Sequence, residues 1–229
     1  MRDRAEPRTS TGRRAAKGLA VLAALAASTV PFLATTSGAA SAPLTFCQGD
    51  LGPEVVTGTL VVPDGVDCNL DRTTVTGNVL VGPGGALNAL GVTVGGALVS
   101  QGARYVAVAD CVEAEPSCHQ PSRIAGSVVI SGTNGQPPPE IGASVLCDAT
   151  FIGGSLVLAR NESMIGITRC TFESGVDVVG SVNVVGNTGG VELAHNRIGG
   201  SLTCFANQPP PFGSDNQVSG SKTGQCASL

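Results

Sequence analysis

Ile198-Gly199-Gly200-Ser201-Leu202-Thr203-Cys204 reads IGGSLTC, and the chain writes nearly the same phrase elsewhere: IGGSLVL from Ile152, VVGSVNV from Val178, VGGALVS from Val94 and IAGSVVI from Ile124. Aligned on one glycine, the copies have anchors at Gly58, Gly77, Gly96, Gly126, Gly154, Gly180, Gly200 and Gly220. Two positions before the anchor stand Val or Ile in all eight copies, and two after it stand Leu or Val in the first seven. Apolar residues at −2, +2 and usually +4, with small residues between, are the period-two face of a β-strand. The anchor glycine reads as part of that inward face, where a missing side chain allows a narrow cross-section.

Successive anchors are 19, 19, 30, 28, 26, 20 and 20 residues apart. A base period near 20 with insertions is the signature of a solenoid, whose turns bury their apolar faces only by stacking on one another. A β-sandwich uses strands at similar spacing but has no need to repeat one phrase in one phase. Seven positions after the anchor, three successive coils carry Asn161, Asn187 and Asn207. Stacked amides hydrogen-bond from layer to layer, so this phase-locked asparagine also argues for coils. The expectation is an all-β solenoid of about eight parallel coils ~4.8 Å apart, with its anchor glycines in one line.

These residues resemble a right-handed parallel β-helix of the pectate-lyase-like superfamily. The tail HNRIGGSLTCFANQPPPFGSDNQVSGSKTGQC, residues 195–226, is similar to the C-terminal repeats of secreted actinobacterial β-helix proteins with no described activity. The resemblance implies a shape over roughly residues 50–226. For enzymes of that superfamily it also implies acidic-polysaccharide binding through clustered Asp, calcium and a basic residue.

Residues 1–42 are set apart from the repeats. Arg2, Arg4, Arg8, Arg13, Arg14 and Lys17 precede an apolar run, LAVLAALAASTVPFLATT from Leu19, and then Ala40-Ser41-Ala42. Basic, apolar, A-x-A is the layout of a secretory signal peptide. Ser28, Thr29 and Pro31 interrupt the run, which argues against a transmembrane anchor. Residues 43–229 then form a single β-helix domain with insertions near 103–122, 134–142 and 207–213. Of 13 Lys and Arg, six lie in 1–42, leaving seven; of 17 Asp and Glu, two do, leaving fifteen, a formal charge of −8 for 43–229. An acidic chain without a basic cluster argues against nucleic acid and against anionic membrane surfaces as partners. The Ala, Gly, Val and Arg bias points to a GC-rich bacterial source.

All eight cysteines lie beyond residue 42, and an even count in an exported chain reads as disulfides. No CxxC pair is present, which argues against zinc. Cys47 and Cys68, Cys147 and Cys170, and Cys204 and Cys226 are separated by about one coil each, and Cys111 and Cys118 share the largest insertion. Matching places on adjacent coils lie ~4.8 Å apart, within the Cα range a disulfide accepts. The expected pairs are therefore 47–68, 111–118, 147–170 and 204–226, with the first and last pinning the two ends of the stack.

Chemistry is harder to find. Asp71 and Asp148 share a coil position but sit several coils apart, whereas Asp177 and Arg197 share one in adjacent coils and read as a surface ion pair. Asp64, Asp67 and Asp71 crowd one stretch without a repeated calcium spacing. His119 and His195 fall in loops without an arranged nucleophile. Asn161-Glu162-Ser163 matches a glycosylation sequon whose asparagine belongs to the ladder. No catalytic, cofactor or metal site is assigned.

Two features point to binding instead. NGQPPPEIG from Asn134 and NQPPPFG from Asn207 leave the coil at the same corner, and the insertion from about residue 103 starts near it. Outward position +3 is apolar in five copies (Val61, Leu80, Val99, Val129, Val157), then polar at Asn183 and Thr203. That column is either covered by the chain's own loops or pairs with another molecule. The sequence thus reads as a secreted, extracellular, non-catalytic scaffold, an envelope or surface interaction protein. Its partner is an unknown envelope or surface component such as polysaccharide, or a second copy. A polysaccharide-active enzyme is the alternative.

Overall fold

The computed structural model describes residues 42–110, 120–135, 144–147, 149–168 and 175–229, which lie within one compact unit, Ala40–Leu229. Its strands form three sheets of eight, nine and seven members, and each strand neighbours its counterpart in the next turn of chain. Among the described residues every strand pairing is parallel, as a repeat in constant phase requires. The architecture is a right-handed parallel β-helix, the hand that crossovers between parallel strands favour.

One coil shows how the sequence builds it. Val55–Val56 is a two-residue strand of sheet I; the chain bends at Gly58 and runs through Thr59–Val62 in sheet II. It then turns at Asp64–Gly65, crosses sheet III as Asp67–Asp71, and re-enters sheet I at Thr74–Val75. Positions −2, +2 and +4 point inward and stack in columns: Val94, Ile124 and Ile152 in sheet I, and Leu98, Val128, Leu156, Val182 and Leu202 in sheet II. Like residues therefore pack on like along the stack, and the core is aliphatic. Ser100 is an exception at +4, buried with a hydroxyl that has no hydrogen-bond partner.

The anchor glycines do form one line. Each amide from Gly77 to Gly220 donates to the carbonyl of the anchor one coil earlier, at 2.8–2.9 Å. They sit at the bend between sheets I and II, however, and what they leave bare points along the stack. A Cβ on Gly126 would lie 2.8 Å from the Gly96 oxygen, 2.9 Å from its carbon and 3.0 Å from the Ala97 nitrogen. Glycine is needed at this position because the coils approach there backbone to backbone, rather than because the core is narrow.

Serine follows the anchor for a related reason. The Oγ of Ser127, Ser155, Ser181 and Ser201 accepts the backbone N–H of the matching serine in the next coil, at 3.1–3.2 Å. At a bend, strand ladders leave such donors unpaired, and a short hydroxyl side chain reaches them.

Residues 103–109, counted with an insertion on spacing alone, are regular: Tyr105–Ala109 is a full strand of sheet III. The long loop begins after Ala109, at the corner between sheets III and I, while the loops after Asn134 and Asn207 leave the corner between sheets II and III. The three insertions therefore depart from two corners instead of one.

Candidate functional site

At the corner between sheets II and III the chain reverses through one left-handed residue, such as Arg160 (φ 53°), Gly186 (φ 64°) or Ala206 (φ 52°). The side chain that follows points into the stack. Asn161, Asn187 and Asn207 occupy this place and are buried. The Oδ1 of Asn187 accepts the backbone N–H and the side-chain amide of Asn161, at 3.0 and 2.8 Å. Its own amide donates to the Leu158 carbonyl at 3.0 Å and to Asn207 Oδ1 at 2.8 Å. Thr133 continues the column upstream by donating to Asn161, and Gln225 continues it downstream by accepting from Asn207.

A second column, which the repeat alignment did not single out, stands at the corner between sheets III and I. Asn196 and Asn216 follow the left-handed residues His195 and Asp215. The Asn216 Oδ1 accepts from the Asn196 amide at 3.0 Å, and Asn196 Oδ1 accepts from the Val176 N–H at 3.0 Å. Their spacing of 20 residues, each one place before Arg197 and Gln217 of sheet I, is the signal that would have found them.

Cys47 is bonded to Cys68 and Cys204 to Cys226, with Cα separations of 5.7 and 5.4 Å. All four are buried, and each disulfide ties a terminal coil, which has one neighbour instead of two, to the coil beside it. Cys147 is also disulfide-bonded. Cys111, Cys118 and Cys170, with Asp148 and His119, lie outside the described residues.

Three of the surface acids stand beside a guanidinium. Arg104 pairs with Asp67, Arg72 with Asp71 at 2.8 Å, and Arg197 with Asp177 at 3.4 Å. The His195 Nδ1 stands 3.8 Å from an Asp215 oxygen. Asp67 and Asp71 thus each face a guanidinium instead of a shared cation. Among the described residues no three His, Cys, Asp or Glu side chains group closely enough to hold a metal ion.

Two surfaces offer room for a partner. Outside sheet I, an open depression of about 330 Å³ runs across the last three coils. It lies between Asp177, Arg197 and Gln217, three before their anchors, and Val179, Gly199 and Ser219, one before. The Arg123 guanidinium stacks over the Phe151 ring further along the same outer column, 5.6 Å from its centroid. Beside sheet III, the loop after Asn207 stays tied to the stack: Gln208 donates to the Asn187 carbonyl and Phe212 bridges to Glu192. Residues 136–143 of the other proline-rich loop lie outside the described residues.

No helix among the described residues is long and apolar enough to cross a membrane. No protein-family model, curated protein or solved structure matches the chain.

Proposed function

We propose that this protein is a secreted, non-catalytic β-solenoid scaffold that contacts an envelope or surface component through the loops bordering sheet III. The observation that carries the reading is the placement of two triple-proline segments directly after equivalent ladder positions, Thr133 and Asn207. Rigid coils fix where these loops leave, and proline stiffens them, so they present a defined contact edge. The disulfides Cys47–Cys68 and Cys204–Cys226 support an oxidising, extracellular setting. A bacterial origin and a pectate-lyase-like ancestry belong to the same proposal.

The test is a pull-down from the producing cell's envelope with the full mature chain and a variant in which residues 208–212 are replaced by Gly and Ser. Retention of a component by the wild type that the variant loses supports the loop edge. Equal retention by both refutes it.

The depression outside sheet I favours a second reading, a polysaccharide-active β-helix enzyme using Asp177 and Arg197. Turnover of any of a panel of acidic polysaccharides, with or without calcium, abolished by Asp177→Ala, would establish that reading over the first.

A further inference from the structure

The outer face of sheet II carries an apolar ridge made of Phe46, Val61, Leu80, Val99, Val129 and Val157, one residue per coil in direct register. Phe46 is 66% exposed and Leu80 38%, so the ridge is not covered at its end or within it. In the next two coils it shifts sideways to Val185 and Phe205, 40% and 52% exposed.

This face differs from the other two in charge. Sheet I presents Arg123, Asp177 and Arg197 outward, and sheet III presents Asp67, Asp71 and Glu192. Outward positions of sheet II hold apolar, Ser, Thr, Asn and Gln side chains from Phe46 to Thr223, with no ionisable group. Residues 43–229 carry a formal charge of −8. Two copies therefore repel through most orientations, and sheet II is the face on which they meet without opposed carboxylates. A lipid surface is the poorer match, because interfacial binders flank their apolar face with Lys and Arg.

We infer that sheet II is a self-association surface and that its occupant is a second copy of this chain. The ridge is self-complementary. A two-fold axis lying in the interface parallel to the strands, level with the gap between Leu80 and Val99, lays Leu80 against Val99 of the second copy, Val61 against Val129, and Phe46 against Val157, as an isologous contact requires. The six strands that overlap, ~4.8 Å apart, give a contact about 29 Å long, and a four-residue strand about 13 Å of width, roughly 380 Å² per copy. Stable complexes bury ~800 Å² per partner, so the dimer is weak and reversible. The surface is independent of the loop edge proposed above.

Sedimentation equilibrium of the mature protein, taken to ~1 mM, tests the inference. The expected result is a concentration-dependent dimer that Leu80→Lys weakens by about tenfold or more, with an unchanged far-UV spectrum. A second measurement does not depend on that variant folding. Under mild oxidation, Leu80→Cys mixed with Val99→Cys cross-links in high yield, whereas Thr203→Cys mixed with Val99→Cys does not, because the two-fold carries Thr203 past the end of the second copy. A monomer at every concentration, or equal cross-linking of both mixtures, overturns the proposal. Monomers that bind neutral phosphatidylcholine vesicles, with Leu80→Lys abolishing that binding, overturn it in favour of lipid.

Discussion

Asn187→Ala is the most informative single perturbation of the stack, because its cost is set by hydrogen bonds that can be named. The substitution removes the acceptor for two buried donors, the Asn161 backbone N–H and one proton of the Asn161 amide. It also strips the Leu158 carbonyl of the donor at 3.0 Å. A buried donor left without a partner costs ~1–3 kcal/mol, so the two N–H groups alone give about 2–6 kcal/mol. For a domain stable by ~5–15 kcal/mol that is a large fraction. At a urea m-value of ~2 kcal/mol/M the unfolding midpoint falls by about 1–3 M.

Gln225→Ala is the matched control. Gln225 accepts the equivalent pair of bonds from Asn207, at 2.9 and 3.0 Å, but it stands half-buried in the last coil, where water can replace it. Its loss should cost ~1 kcal/mol or less. The assay is urea unfolding followed by far-UV circular dichroism, with the disulfides intact. If Asn187→Ala unfolds within ~1 kcal/mol of the wild type, or at the same urea concentration as Gln225→Ala, the ladder does not stabilise the stack in the way argued here.

Ser100→Val replaces an unpartnered buried hydroxyl between Val81 and Ile130 and should stabilise the protein by about 1–2 kcal/mol in the same unfolding assay. Gly126→Ala should destabilise by about 2–4 kcal/mol, since every close neighbour of the added carbon is backbone and cannot move aside, while Gly52→Ala, with nothing within 4 Å, should be neutral. Replacing Cys204 and Cys226 together by Ala should cost about 3 kcal/mol for a loop of 22 residues, and hydrogen exchange should accelerate first in Lys222–Gly224.

Sheets I and II were legible in the sequence because their strands alternate: the −2, +2 and +4 side chains meet the core and the residues between them meet solvent. Tyr105–Ala109 escaped for the opposite reason. Its outward residues Tyr105 and Ala107 are 5% and 3% exposed, so both faces are buried and YVAVA has no alternation to read. The Asn196–Asn216 column was missed because it precedes the two-residue strand of sheet I, outside the seven-residue phrase used for alignment. The anchor glycines were found by repetition but misread in cause: periodicity reports which face a residue takes, and the contact that forbids a Cβ lies along the stack. Coil spacing alone located Cys47–Cys68 and Cys204–Cys226, since a solenoid turns sequence separation into distance. On the surface the same rule located Asp177–Arg197, which share one position in adjacent coils, but it does not reach pairs that cross positions. Ion pairs such as Arg104–Asp67 join residues 37 apart that share no position in the repeat.

The two kinds of column do different work, and their difference explains where the chain accepts insertions. Aliphatic columns are tolerant, because Val, Ile and Leu interchange freely along a stack that needs only volume and register. The amide and hydroxyl columns are specific, because each rung must match a donor one coil away with an acceptor in a fixed place. The triple-proline loops depart one or a few residues after such rungs. Asn207 is held by Asn187 on one side and Gln225 on the other before the chain leaves, and the chain returns when Phe212 pairs with Glu192. The coil is thus fixed on both sides of the excursion, and lengthening the loop adds mainly a closure term that grows slowly with length. A rung without its downstream amide would let the strain of a long loop reach sheet II. The asparagines therefore govern more than coil stability: they decide at which corner this scaffold can vary its surface while keeping its core in register.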